Sequence, residues 1–182
     1  MKFTSLELMG AYLIDIEKHE DDRGFFARCF CKHEFSGHGL ETDWVQMNNT
    51  LSRDIGTLRG MHFQYPPKAE AKIIRCLRGA VWDVIVDLRE GSPTLGKWFG
   101  VEINDINRTM VYVPKGFAHG FQTLQANSEL LYWHSEYYDA EEEGGLHYDD
   151  PDVGIDWPMS VSQLSVRDSK HPQLKELPLI SI

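Results

Sequence analysis

Cysteine is scarce in this sequence: Cys29, Cys31 and Cys76 are the only three in 182 residues. An odd number without a CxxC pair indicates neither a disulfide framework nor a cysteine zinc site, and a reducing cytoplasm is the expected compartment. Basic charge is also in short supply, with 18 Lys and Arg against 28 Asp and Glu and a formal net charge of −10. A general nucleic-acid binder would carry a basic face, so no nucleic-acid partner is expected. No apolar run is long enough to span a bilayer, and Glu7 interrupts "MKFTSLELMGAYL" where a signal peptide needs an unbroken apolar region. Neither membrane insertion nor export is expected. Repeats, low-complexity segments and linker-like stretches are missing too, so residues 1–182 read as one domain, long enough to bury a substantial core.

Helical periodicity is sparse. The best candidates are "CKHEFSGHGL", closing on Gly37 and Gly39, and the C-terminal "SQLSVRDSKHPQLKEL". What the chain does contain is a series of short runs rich in Val, Ile, Phe, Tyr and Trp, punctuated by Gly, Pro and Asp. "KIIRCLRGAVWDVIVDLREGSPTLGKWFGVEI" predicts three strands, with a turn at Gly79 and a looser one at "EGSPT". Within it Trp82, Val84, Val86 and Leu88 share one face, and Asp83 and Asp87 fall on the other. "TMVYVP" and "SELLYWHSEYY" continue the series. Many short strands with Gly and Pro turns predict an all-β sandwich or barrel.

The chemistry-bearing residues cluster around these strands. "GTLRGMHFQYPP" carries Arg59 and His62; Lys72 opens the strand "KIIRC"; His119 sits in "PKGFAHGFQTL". Two histidines and two cations on strands of a small barrel would converge on its mouth, where small-molecule sites are often found. Taken singly, each has an ordinary explanation: a histidine among apolar neighbours is usually a packing residue, and Arg59 and Lys72 would be surface cations. Tyr132 shares a strand face with Leu130, His134 and Tyr138, and periodicity does not say which face is inward.

The motifs together are more specific than any one. "DDRGFF", "LRGMHFQ", "GAVWDVIVDLREGSPT", "VPKGFAHGFQTL", "DDPDVGIDWP" and "LSVRDSKHPQL" occur in this order across almost the whole chain. In this the sequence resembles the dTDP-4-dehydrorhamnose 3,5-epimerase family. The resemblance implies an all-β fold, a cupin-type double-stranded β-helix (jelly roll) with a few short helices and a C-terminal tail, about residues 160–182, packed on the barrel. It implies a cofactor-independent isomerase whose partner is a nucleoside-diphosphate 4-keto-6-deoxy sugar inverted at C3 and C5. Both carbons flank the ketone, so the chemistry demands a base on one face, an acid on the other and positive charge near the C4 oxygen.

By the same resemblance His62 is the general base and Asp168 the carboxylate that holds its tautomer, while Tyr132 is the general acid and Lys72 the cation at the C4 oxygen. Arg59 and His119 match positions near the sugar and diphosphate. Arg23, and more loosely Gln46 and Asn48, match nucleotide contacts. Arg23, Arg59 and Lys72 would then form a cationic floor inside an acidic protein. The resemblance also implies a homodimer whose members exchange N-terminal strands.

Three departures bear on the nucleotide and sugar rather than on the chemistry: Arg28 stands where well-studied members carry a glutamate, "QMNNTLS" departs from a Q-x-N-x-S stretch, and "YPPKAEAK" carries a double proline and Lys68. Metal-binding cupins use an HxH pair, a glutamate and a later histidine; here Gln64 replaces the second histidine and Lys72 lies near a ligand position, so no metal is expected. His19, His33, His38, His134, His147 and His171 read as surface or packing residues. The alternatives are an epimerase acting only at C3 or only at C5, a related ketoisomerase, and, from another class, a metal-binding cupin oxygenase or a sugar-binding cupin without turnover.

Overall fold

The computed structural model describes residues 1–182. Its strands in chain order are β1 (Lys2–Ser5), β2 (Tyr12–Asp15), β3 (Lys18–Asp21), β4 (Gly24–Ala27), β5 (Gln46–Ser52), β6 (Leu58–Gln64), β7 (Lys72–Arg78), β8 (Ala80–Asp87), β9 (Trp98–Asn104), β10 (Met110–Val113), β11 (Phe117–Thr123), β12 (Ser128–His134) and β13 (Glu143–Gly145). One six-stranded sheet runs β1-β2-β10-β7-β12-β5 and faces a five-stranded sheet β13-β6-β11-β8-β9. Every pairing within the sheets is antiparallel. Neighbours such as β6 and β11, or β7 and β12, are far apart in sequence, the interleaving of a jelly roll.

The predicted strands from Lys72 to Asn104 form as expected, β7 and β8 meeting at Gly79, whose φ of +77° suits glycine. Apolar positions alternate in two registers because both faces of the five-stranded sheet are covered. On the inner face Val81, Ile85, Ile103, Phe117 and Phe121 meet Ile74, Cys76, Val111, Val113 and Leu130 from the facing sheet. On the outer face Val84, Val86 and Leu88 join Met61, Phe63 and Leu146, with Trp82 at the margin. Asp83 and Asp87 do fall on the opposite face from Trp82, but they are buried there: Asp83 Oδ2 is held by His119 while its Oδ1 has no partner, and Asp87 is held by Arg89, Ser92 and Thr94.

The helix expected around "CKHEFSGHGL" forms as α1 (Lys32–Gly37). Its Phe35 is fully buried against Ile14, Ile73, Met110 and Tyr112 on the outer face of the six-stranded sheet. Truncating such a phenylalanine costs about 3–5 kcal/mol. The second predicted helix does not form: the C-terminal stretch makes only two 3₁₀ turns, Asp168–Lys170 and Leu174–Glu176. Pro172 separates them, and competing side chains claim the backbone groups on either side. The Asp168 amide donates to Ser165 Oγ and the Leu174 amide to Asp150 Oδ2. Leu174, Leu177 and Ile180 pack on the outer cluster of the five-stranded sheet.

The β3–β4 hairpin stands apart. It pairs only with itself, and all of its residues but Ala27 are exposed, Phe26 at 76%.

Candidate active site

The inner surfaces of the two sheets enclose a cavity of about 340 Å³. Its position follows from the close approach of β6 to β11. Gly60 has φ +123°, and a Cβ there would lie 2.5 Å from Gly120 Cα and 2.9 Å from the His119 carbonyl oxygen, so only glycine allows the crossing. The approach sets His62 opposite His119 in register, with a bulge immediately after. Along β6, Met61 and Phe63 point to the outer core. By strand alternation His62 between them points inward, where it lines the cavity.

His62 Nε2 lies 3.0 Å from Asp168 Oδ1, and Asp168 is also held by the Gly60 amide at 3.2 Å on its other oxygen. Burial would raise the Asp168 carboxyl. The nearby His171 ring and the hydrogen bonds from His62 and the Gly60 amide outweigh it and hold the group well below the usual carboxylate range. Asp168 is therefore an acceptor, Nε2 carries the proton, and Nδ1 keeps its lone pair. Burial lowers the His62 pKa; Asp168 opposes that effect, and the positive charges of Lys72 and Arg167 add to it. The imidazole is neutral near pH 7.

Tyr132 lines the cavity from β12, in the facing sheet. Its inward direction, left open by periodicity, is that of the buried Leu130. Burial, and then the Asp83 carboxylate, push its phenol well above the ordinary tyrosine value, so it holds its proton throughout the neutral range. Its ring stands edge-on to His119 at 5.9 Å and stacks on His134 at 6.0 Å. His119 Nε2–H donates to Asp83 at 2.8 Å, both side chains being buried.

Lys72, at the start of β7, is buried; its ammonium donates to the His62 carbonyl at 3.3 Å and meets Glu70 at 3.1 Å. The second Glu70 oxygen accepts from His134 Nδ1 at 2.7 Å. Burial would raise the Glu70 carboxyl, but Lys72 and His134 overcome it and the value is lowered. Arg59 lies at the cavity wall, its Nε donating to Ser52 Oγ at 3.0 Å, and Asn48 lines the same wall.

The structure thus brings together His62, Asp168, Tyr132, Lys72, Asn48, Arg59 and His119. It does not bring Arg23 or Gln46 to this cavity. Arg23 sits at the tip of the exposed hairpin, 89% accessible and paired with Asp21 at 2.5 Å. Gln46 uses its side-chain oxygen to accept the Tyr138 amide at the edge of β5. The expected cationic floor of Arg23, Arg59 and Lys72 is therefore not assembled within one chain, and Lys72 is already matched by Glu70. Arg28, the charge-inverted position, pairs with Glu34 and is likewise remote from the cavity.

Two histidines read as surface or packing residues belong to the site. His134 lines the cavity, and His171 stands edge-on to His62 at 5.5 Å with its Nε2 3.6 Å from Asp168. Nothing in the sequence marks Glu70, Asp83 or Arg167 as a site residue. Each is locally only a charged residue, a type that usually marks a solvated position.

His62, Asp168 and His171 offer three ligand atoms within 4.8 Å of one another, a spacing that could hold a metal ion. The surroundings disfavour it: Arg167 places its guanidinium 3.2 Å from His62 Nε2 and 3.4 Å from Asp168 Oδ1, putting a fixed cation where the metal charge would fall. Gln64, at the position of the missing cupin histidine, stitches the following loop by bonding the Lys68 carbonyl and the Asp139 amide.

A jelly roll that sets a carboxylate-bound imidazole on one wall of its cavity and a protonated phenol on the other defines a cupin-type acid–base enzyme, an isomerase. The family profile described as dTDP-4-dehydrorhamnose 3,5-epimerase matches residues 5–176. A Sinorhizobium fredii relative of that name is 46% identical over 180 residues, covering 98% of this chain and 92% of its own. The crystal structure of the dTDP-4-dehydrorhamnose 3,5-epimerase from Elizabethkingia anophelis superposes with a TM-score of 0.94 at 39% identity, covering 97% of each chain. A Streptomyces niveus relative named dTDP-4-dehydrorhamnose 3-epimerase is 39% identical over 169 residues, covering 92% of this chain and 81% of its own. The chain belongs to the dTDP-4-dehydrorhamnose 3,5-epimerase family.

Proposed function

We propose that this enzyme inverts C3 and C5 of dTDP-4-dehydro-6-deoxy-D-glucose to give dTDP-4-dehydro-L-rhamnose. The observation that carries the reading is the placement of His62 and Tyr132 on facing sheets across one cavity. A proton α to the C4 ketone leaves to His62 Nδ1 and generates an enolate. Lys72 supplies positive charge at the C4 oxygen as it becomes anionic, and Tyr132 returns a proton from the opposite face, inverting the centre. Asp168 keeps its charge throughout, fixing the imidazole tautomer and stabilising the imidazolium that forms. His119, oriented by Asp83, and Arg59 and Asn48 hold the sugar and diphosphate; a guanidinium suits phosphate oxygens.

The enzyme works in the cytoplasm as a homodimer in which the β3–β4 hairpin of one protomer reaches the cavity of its partner and delivers Arg23 to the nucleotide, with Gln46 at the same rim. The exposure of Phe25 and Phe26 on a hairpin that pairs only with itself supports this.

Turnover of dTDP-4-dehydro-6-deoxyglucose by the wild type and by His62→Asn tests the reading. A loss of about 10²-fold or more is expected of the variant, and near wild-type turnover would contradict it.

A further inference from the structure

Lys72 has a flexible four-carbon stem, and nothing in its own strand fixes where the ammonium points. The His62 carbonyl accepts from it at 3.3 Å, and Glu70, itself held by His134, fixes it from a second direction. Glu70 Oε1 meets the ammonium at 3.1 Å, while Glu70 Oε2 accepts from His134 Nδ1 at 2.7 Å. The three side chains are 7%, 9% and 12% exposed, so this is a connected interior chain and not a surface ion pair. A carboxylate only accepts, so Nδ1 of His134 bears the proton and Nε2 keeps a lone pair, which receives the Asn48 amide at 3.4 Å. His134 also stacks on the Tyr132 ring, with 20° between the ring planes. One imidazole therefore touches the phenol, the amide on the cavity wall and the carboxylate that holds the lysine.

We infer that Glu70 and His134 are positioning residues for the epimerisation: Glu70 aims the Lys72 ammonium at the substrate carbonyl oxygen, and His134 locks Glu70 in the orientation that does so. The inference rests on the assignment of Lys72 to the enolate oxygen given above. Glu70 has no other means of keeping that orientation, because its hydrogen bonds go only to Lys72 and His134. The lowered Glu70 carboxyl agrees with a group that stays ionised between two donors. An ammonium displaced by about 1 Å stabilises the enolate poorly while still attracting an anionic substrate, so the loss falls on the chemical step.

The test compares Glu70→Gln, His134→Gln, His134→Leu and Lys72→Met for kcat, KM and uptake of solvent deuterium into the keto sugar, with thermal unfolding as a check on folding. Glu70→Gln and His134→Leu are expected to lower kcat by about 10- to 100-fold with KM within about twofold, deuterium uptake falling in parallel because enolate formation itself is slowed. His134→Gln, whose amide can still donate to Glu70, is expected to recover most of the activity lost in His134→Leu. Glu70→Gln or His134→Leu with wild-type kcat, or a loss expressed only in KM, overturns the inference, as does equal damage from His134→Gln and His134→Leu in folded protein. If Lys72→Met itself retains wild-type kcat, the assignment of Lys72 fails first; if Lys72→Met is inactive and Glu70→Gln is not impaired, the assignment stands and the positioning role fails.

Discussion

Asp168 and His62 are 106 positions apart in the chain, yet their side chains meet at 3.0 Å. The contact is a tertiary one: the turn beginning at Asp168 is laid under β6, where the carboxylate also caps the Gly60 amide at 3.2 Å. An ionised acceptor there decides which imidazole nitrogen bears the proton.

That arrangement predicts what Asp168→Asn does. An amide can present an N–H to Nε2, which then holds the lone pair while the proton moves to Nδ1, the wrong tautomer for abstraction. kcat should fall by about 10²-fold or more, with little change in KM. The pH dependence of stability should change as well. The folded carboxyl is held below its unfolded value of about 3.9, so its contribution is full above that pH and is lost as the pH falls through the acid range. Acid unfolding monitored by circular dichroism should therefore be less steep in Asp168→Asn. An unchanged acid transition would contradict the depressed carboxyl.

Arg167 predicts a shift in the pH–rate profile. Burial is the main cause of the lowered His62 pKa, and the Arg167 charge adds to it. The acid limb of kcat/KM should lie below the ordinary histidine value of about 6.5 in the wild type. In Arg167→Met that limb should move to higher pH, since removing a nearby cation makes protonation easier. A limb that stays in place or moves lower would show that the guanidinium does not act on this imidazole.

Tyr132→Phe should separate two steps. The phenol is held protonated, and abstraction on the far side does not require it. Solvent deuterium exchange should persist in the variant while net inversion drops by about 10²-fold. Equal loss of exchange and inversion would assign the tyrosine another role.

Arg23 predicts complementation between protomers. It is 89% exposed and does not line the cavity of its own chain, so the proposed delivery to a partner's cavity can be tested directly. Arg23→Ala and His62→Asn homodimers should each be nearly inactive, and mixing them after subunit exchange should restore up to about a quarter of the activity, through dimers that contain one intact site. Sedimentation velocity should show the dimer. No recovery from verified mixed dimers would place Arg23 outside the partner's site.

Much of this architecture is legible in the sequence because strands announce themselves locally. The two-residue alternation of "AVWDVIVD" and the glycine at 79 define β7 and β8 without reference to the rest of the chain. His62, Lys72 and Tyr132 lie in such strands, so their positions along them are legible; the side they face is fixed only when β6 pairs with β11 and β7 with β12. The C-terminal stretch misleads for the opposite reason. Its polar residues suit a helix end, but Asp168 is taken up by His62 and Gly60, and Pro172 ends what remains. Glu70, His134 and His171 escape notice because each looks like a solvated or packing residue until its partner arrives from another strand or turn.

The most direct test of the central claim is proton NMR of chelator-treated enzyme with dTDP-4-dehydro-6-deoxyglucose in deuterium oxide, following both carbons beside the ketone. Deuterium at C3 and C5 with a rhamno-configured product is the predicted result. Deuterium at a single carbon would restrict the enzyme to a mono-epimerase, and no incorporation at either carbon would contradict proton abstraction by His62 from this substrate.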